Sequence, residues 1–154
     1  MRHTLLTLGT LLFGCLSASA LELPEIIGSN MMLQQQTQAR LWGWAKGGST
    51  VTITTSWENQ TYSAKADKKS GRWELLVQTP AASYDAQQLT IQGDGQTISV
   101  DNILIGEVWF CSGQSNMEMP LRGFWNCPVE GANQAIMQSG KYKNSVRVAT
   151  IPKT

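Results

Sequence analysis

Short runs that alternate apolar and polar residues fill the stretch from residue 21 to residue 105. The segments "STVTITTSW" (49–57) and "GRWELLVQ" (71–78) are the clearest of them. Alternation with a period of two predicts β-strands that bury one face. Turn residues such as Gly93-Asp94-Gly95 separate the runs and predict hairpins. About seven short strands at this spacing predict a β-sandwich as the first domain, over residues 21–105.

The pattern changes in the last third of the chain. "ILIGEVWF" (103–110) is apolar almost throughout, which predicts a strand buried on both faces. "PVEGANQAIMQSGKY" (128–142) predicts a helix that ends at Gly140, and "SVRVATI" (145–151) predicts another strand. Strand, loop, helix and strand in this order open a parallel α/β layer. We therefore expect residues 106–154 to begin a second domain that is incomplete in this chain.

The first twenty residues, "MRHTLLTLGTLLFGCLSASA", have the features of a secretory signal. A short, weakly basic start precedes an apolar run of about twelve residues, which is too short to span a bilayer. Ala18-Ser19-Ala20 fits the cleavage pattern of small residues. We expect cleavage after Ala20 and export to the periplasm or the exterior. The alternative is a lipoprotein signal with Cys15 as the lipidated residue.

The charge of the mature chain is balanced. Of twelve basic residues only Arg2 lies in the signal, so eleven basic and eleven acidic residues remain. This balance argues against nucleic acid or an anionic membrane as the main partner. The mature chain also lacks histidine and any Cys-x-x-Cys motif. We therefore expect no metal site, and the residues call for no cofactor.

Two cysteines, Cys111 and Cys127, remain after removal of the signal. An even pair in an oxidising compartment favours a disulfide. The alternative is two separate small thiols in the protein interior, because a sequence cannot show whether two side chains face each other.

The polar loop "CSGQSNMEMP" (111–120) follows the predicted buried strand. Functional groups of a parallel α/β layer collect where its strands end. Ser115 can expose its hydroxyl at that edge while its backbone N–H faces a developing oxyanion, as acyl transfer requires. Gly113 would let the backbone approach closely, and Gln114 and Asn116 offer amides that could hold a polar substrate or fix the turn.

A purely structural interpretation of Ser115 is also open. Ser115-x-x-Glu118 has the spacing of a capping box, so the serine could simply start a helix. Met117 occupies the second glycine position of Gly-x-Ser-x-Gly, which argues against an ordinary α/β-hydrolase elbow.

The motif "GEVWFCSGQSNMEMPL" (106–121) resembles the first motif of the sialate O-acetylesterase family, within the SGNH-type serine esterases. "LPEIIGSNMMLQQQ" (23–36) and "RLWGWAKGG" (40–48) are similar to the entrance of the β-domain that precedes the esterase domain in that family. "PVEGANQAI" (128–136) and "VRVATIPKT" (146–154) resemble its next helix and strand. The resemblance covers nearly all of the mature chain and implies an SGNH-like esterase domain from residue 106.

The resemblance implies removal of O-acetyl groups from sialic acids or other acetylated glycans. Ser115 would be the nucleophile, its N–H would help to hold the oxyanion, and Gly113 would shape the loop. The family places its acid–base histidine and aspartate late in the chain, and a further oxyanion donor in a middle motif. None of those positions is present here, and we do not expect Glu107, Glu118 or Glu130 to replace the base. Residues 21–154 alone are thus expected to be inactive.

Two other classes of function compete with the esterase. A carbohydrate-binding β-sandwich without catalysis would use exposed tryptophans. Trp57 and Trp73 share the apolar phase of their strands, which favours core packing, whereas Trp42 and Trp44 share a face that the pattern leaves open. A glycosidase would need paired carboxylates, and no Asp/Glu pair here has a compelling spacing.

Overall fold

A computed structural model describes residues 21–151, and their regular structure is mostly β-sheet. The predicted signal peptide, residues 1–20, lies outside the described residues together with Cys15. The strands are β1 (Met32–Gln34), β2 (Gln38–Trp44), β3 (Thr50–Thr55), β4 (Thr61–Lys65), β5 (Arg72–Gln78), β6 (Ser83–Gly93) and β7 (Gln96–Gly106).

The seven strands of the described residues form two sheets. Five strands pair in the order β1-β7-β6-β3-β4, and β2 pairs with β5. The β1–β7 pair is parallel, and the other pairs are antiparallel. Both sheets contribute to one hydrophobic core, for example Ile53 and Ile91 from the larger sheet and Leu41 from the smaller. The predicted β character is confirmed. The predicted sandwich is not confirmed, because one sheet has five strands and the other has only two.

The alternating segments form strands as predicted. In β3, Val51 and Ile53 are buried, whereas Thr52 and Thr54 are partly exposed. In β5 every second residue from Trp73 to Val77 is buried. The predicted core position of Trp73 is confirmed, since its side chain is 1% exposed. Trp57 is only half-buried, and its indole N–H donates a hydrogen bond to the Gln78 carbonyl at 3.0 Å.

The turn between β6 and β7 is the hairpin that Gly93-Asp94-Gly95 predicts. Asp94 and Gly95 have φ values of 52° and 73°. Two central residues with positive φ match the right-handed twist of the flanking strands. The Asp94 carboxylate also accepts a hydrogen bond from the Lys46 N–H at 2.6 Å, which ties the hairpin to the turn after β2.

The predicted strand over 103–110 is half right. Ile103–Gly106 form the end of β7 and are buried, because β7 lies between β1 and β6. Residues 107–110 are not in a strand, and the side chains of Trp109 and Phe110 are 82% and 83% exposed. Only the first half of the apolar run therefore belongs to the larger sheet. β7 continues into this run through Asn102, at φ 54°, where the β6–β7 register shifts.

The segment after β7 has little regular structure. It contains α1 (Ser115–Glu118), α2 (Ala132–Ser139) and a 3₁₀ turn over Gly140–Tyr142. Gly140 follows α2 as predicted but is right-handed at φ −57°, so the chain continues into the 3₁₀ turn. Residues 145–151 form no strand, and the start of an α/β layer is not confirmed. A strand needs a paired neighbour, and none of the described residues supplies one. None of the helices over 21–151 has the length and apolar character to cross a membrane.

Truncating Trp73 should destabilise the β-domain strongly. Its fully buried side chain packs in the shared core, and Trp→Ala changes at such sites cost about 3–5 kcal/mol. Leu76→Ala, on the exposed face of the same strand, is the control and should change the free energy of unfolding by about 0.5 kcal/mol. Urea unfolding followed by fluorescence and circular dichroism measures both. Equal effects of the two changes would contradict the core assignment.

Candidate functional site

The loop that leads to Ser115 is anchored where β7 ends. The Glu107 carboxylate accepts hydrogen bonds from the side-chain amides of Gln34 at 3.0 Å and Gln35 at 2.6 Å. The Val108 N–H donates to the side-chain oxygen of Gln34 at 2.8 Å. These bonds join the first residues after β7 to the end of β1. They hold the start of the loop while the residues beyond it are exposed.

Ser115 is the first residue of the single helical turn α1. The Met117 N–H donates to the Gln114 carbonyl at 2.9 Å and closes the turn. Ser115 is exposed, and within residues 21–151 its hydroxyl makes no hydrogen bond. Its backbone N–H is at the first helical position and has no acceptor inside the helix. Both groups that acyl transfer needs from a serine are therefore accessible.

Ser115 does start a helix, as the capping-box spacing allowed, but its side chain does not cap that helix. Gln114, not Ser115, is the N-cap residue of α1, and no side chain caps this helix. Glu118 is instead the last residue of the same turn. Met119 then adopts an extended conformation at ψ 120°, as the residue before Pro120 should.

Gly113 is needed for close packing within the loop. A Cβ atom at this position would lie 2.6 Å from Cγ of Met117, well inside contact distance. The Met117 side chain is thus the neighbour that a larger residue would meet, and the role of Gly113 in shaping the nucleophile loop stays a prediction. Gln114 and Asn116 are exposed, and neither side-chain amide forms a hydrogen bond within residues 21–151. Their amides therefore face solvent.

A second tight turn follows α1. The Gly123 N–H donates to the Pro120 carbonyl at 2.8 Å, and Phe124 and Cys127 exchange two backbone hydrogen bonds at 3.1 Å. Gly123 has φ 77°, and a Cβ there would lie 2.2 Å from the Cys127 carbonyl oxygen. Cys111 and Cys127 are both exposed and are not bonded to each other. The alternative of two buried thiols does not describe this structure, and the disulfide stays a prediction.

The described residues provide no evident base for Ser115. They contain no histidine. Hydrogen bonds from Gln34, and then from Gln35, hold the pKa of Glu107 below its usual range, which makes this carboxylate a weaker base. Within residues 21–151 no three His, Cys, Asp or Glu side chains form a group that could hold a metal ion.

The bonds that anchor Glu107 depend on its ionised carboxylate, so they are lost in acid. They stabilise the fold above the pKa of the unfolded chain, and this contribution is lost as the pH falls through the lower pKa of the folded chain. We expect a ¹³C NMR titration to show Glu107 ionising below its usual range. Combined Gln34→Ala and Gln35→Ala changes should raise this pKa, whereas Gln38→Ala should not. An unchanged titration in the double variant would contradict the proposed cause.

The sequence reasoning missed two features of this region. Gln34 and Gln35 anchor the loop from 72–74 residues away in sequence, and no local pattern signals such a contact. An open cleft lies in the turn after α1. The arginine beside two aromatic residues in "LRGFWNCP" is the sequence signal that could have pointed to it. It is lined by Pro120, Arg122, Gly123, Phe124, Trp125 and Pro128.

Curated relatives and a solved structure are similar to this chain. It is 32% identical over 120 residues to the sialate O-acetylesterases of Homo sapiens and Pongo abelii, a match that covers 73% of this chain and 23% of each relative. The relative from Rattus norvegicus matches equally, over 22% of its length. A carbohydrate acetylesterase from Xanthomonas citri aligns with a TM-score of 0.64 and 28% identity, over 76% of this chain and 25% of that one.

No family model matches the chain. The chain spans about a quarter of the length of the curated relatives it matches. The resemblance to sialate O-acetylesterases is nevertheless confirmed by homology over 73% of this chain. The chain is therefore a homologue of part of the sialate O-acetylesterases.

Proposed function

We propose that this chain supplies the serine nucleophile of an esterase that removes O-acetyl groups from glycans. The observation that carries the proposal is the exposed hydroxyl of Ser115 at the start of α1, in a chain homologous to sialate O-acetylesterases. The carbohydrate acetylesterase of similar fold supports the same class of substrate. The sugar would be a sialic acid or another acetylated glycan.

The proposed reaction begins when Ser115 Oγ attacks the carbonyl carbon of the acetyl ester. A base takes the hydroxyl proton, and the tetrahedral oxyanion accepts a hydrogen bond from the Ser115 N–H. Collapse of the intermediate breaks the bond to the sugar oxygen, which leaves with a proton as the free hydroxyl. Water then attacks the acetyl-serine, releases acetate and restores Ser115.

The proposed base comes from outside residues 21–154. Those residues contain no histidine, and the carboxylate nearest to the loop start, Glu107, is held in its ionised form by two amides. By family resemblance a histidine and an aspartate complete the site. This assignment, and the SGNH-like character of residues 106–154, rests on the resemblance together with the homology.

The test is acetate release by the product of the native gene. An O-acetylated sialic acid and an acetylated xylan serve as substrates, and the Ser115→Ala variant serves as the comparison. Serine-dependent release from either glycan supports the proposal. Saturable glycan binding without acetate release would favour the second candidate, a non-catalytic carbohydrate-binding protein. The observation behind this candidate is the absence of histidine from residues 21–154.

Export to the periplasm or the exterior forms part of the proposal. In such an oxidising compartment we predict a disulfide between Cys111 and Cys127, which are both exposed. The bond would close a loop of ~15 residues around Ser115. In the chain-entropy model, a disulfide that closes such a loop stabilises the folded state by about 3 kcal/mol. Mass spectrometry of the exported protein without reductant should show the two peptides linked. Two thiols that are both alkylated under these conditions would contradict the disulfide.

A further inference from the structure

The outer face of the β2–β5 sheet presents tryptophans beside an ion-pair network. On β2, alternate residues bury Leu41 and turn Trp42 and Trp44 to the other side. Their side chains start about 6–7 Å apart along the strand. Trp44 is 40% exposed, whereas Trp42 is half-buried and also packs against the core. We call this surface the tryptophan face; it comprises Arg40, Trp42, Trp44, Arg72, Glu74 and Leu76.

One carboxylate holds both arginines of the tryptophan face. Arg40 Nη1 lies 3.2 Å from one oxygen of Glu74, and Arg72 Nη2 lies 2.9 Å from the other. The arginine side chains are 64% and 49% exposed and that of Glu74 is 34% exposed, and ion pairs so open to solvent contribute little to stability. Each guanidinium carries five N–H donors, so most donors of both arginines remain available beside the indoles. The network fixes the direction of hydrogen-bond donors at the edge of an aromatic surface.

The tryptophan face itself carries one net positive charge, and Glu22 beside it balances that charge. Glu22 pairs with Trp44 through two backbone hydrogen bonds of 2.9 Å, and directly paired residues place their side chains on the same face. With Glu22 included, two arginines balance two glutamates. A neutral surface does not select a polyanion, which argues against nucleic acid and against a strongly acidic glycan.

We propose that the tryptophan face binds an uncharged polysaccharide, separately from the reaction at Ser115. The indole of Trp44 would stack on the apolar face of a sugar ring, while Arg40 and Arg72 donate to its hydroxyls and Glu74 and Glu22 accept from them. Aromatic side chains with a few placed polar groups are the usual composition of such sites. The surface would hold the acetylated polymer near the esterase. This inference depends on the proposed function only in taking a glycan as the ligand.

The test is a binding titration of the full chain followed by tryptophan fluorescence and calorimetry. Hydroxyethyl cellulose and acetylated glucomannan are the uncharged probes, and polysialic acid is the acidic probe. We expect saturable binding of the uncharged probes. Trp44→Ala should weaken this binding by about tenfold or more, as for a central aromatic contact. Trp44→Phe should restore part of it. Tyr84→Ala removes an aromatic ring that is 88% exposed on the other sheet, and it should leave binding unchanged.

Several results would overturn the inference. One such result is that the full chain, shown to be folded by its circular dichroism spectrum, binds no uncharged probe. Another is that the Trp44→Ala variant binds these probes as well as the parent. Stronger binding of polysialic acid would contradict the neutral ligand. A dimer that depends on Trp44 in sedimentation, without glycan binding, would assign the face to contacts between copies. Because no arm measures ester turnover, failure here leaves the Ser115 proposal standing, and failure of that proposal leaves this binding test unaffected.

Discussion

Replacing Ser115 by alanine in the product of the native gene should lower kcat/KM for an acetylated glycan by about 10⁴–10⁶-fold, the loss expected when a covalent nucleophile is removed. The side chain is exposed and makes no hydrogen bond within residues 21–151, so its removal leaves no buried partner unsatisfied. The β-domain should keep its stability. The rate of acetate release at substrate concentrations below KM measures this change in kcat/KM.

Ser112→Ala is the matched control for this prediction. Ser112 is exposed in the same loop, three residues before Ser115, and lies outside α1. We expect near-normal turnover from it. A Ser115→Ala variant that retains a tenth or more of the parent activity would show that another group attacks the ester. Loss of activity in both variants, with unfolding of the loop, would show that the segment is needed only for structure.

Residues 21–154 expressed alone should not hydrolyse esters above background. A serine hydroxyl is a weak nucleophile at its free pKa and needs an adjacent base. The segment supplies no imidazole, and carboxylates are too weakly basic near neutral pH to replace one without large pKa shifts. The pKa of Glu107 is shifted downward, which makes it less suitable still.

p-Nitrophenyl acetate and an O-acetylated sialic acid are the substrates for this measurement, with the Ser115→Ala form of the same segment as control. The two proteins should give the same background rate. Turnover that disappears in the alanine variant would prove that a base exists within residues 21–154. That result would overturn the assignment of the base to another part of the protein.

Local patterns predicted the β-domain well because each strand buries one face. The alternation in β3 and β5 and the turn at Asp94-Gly95 depend on residues within a few positions of each other. The pairing of β1 with β7 joins residues about 72 positions apart, and the sequence contains no local signal for it. Unequal sheets likewise follow from long-range pairing, which strand periodicity does not specify.

The apolar run 103–110 shows where pattern reasoning fails. A short apolar run has the same composition whether its residues are buried in a sheet, as Ile103 is, or exposed, as Trp109 is. The predicted strand reaches residue 110, but β7 ends at Gly106, so the loop that leads to Ser115 begins four residues earlier than predicted. The anchoring of Glu107 by two glutamines was not predicted, because amides at the distant end of β1 carry no periodic signal.

The identity of the nucleophile is tested most directly by trapping it. The active product of the native gene is treated with a fluorophosphonate, digested and examined by mass spectrometry. We predict one stoichiometric adduct, on Ser115, together with loss of acetate release, and no adduct in the Ser115→Ala variant. An adduct on another residue, or full inactivation with Ser115 unmodified, would contradict the assignment.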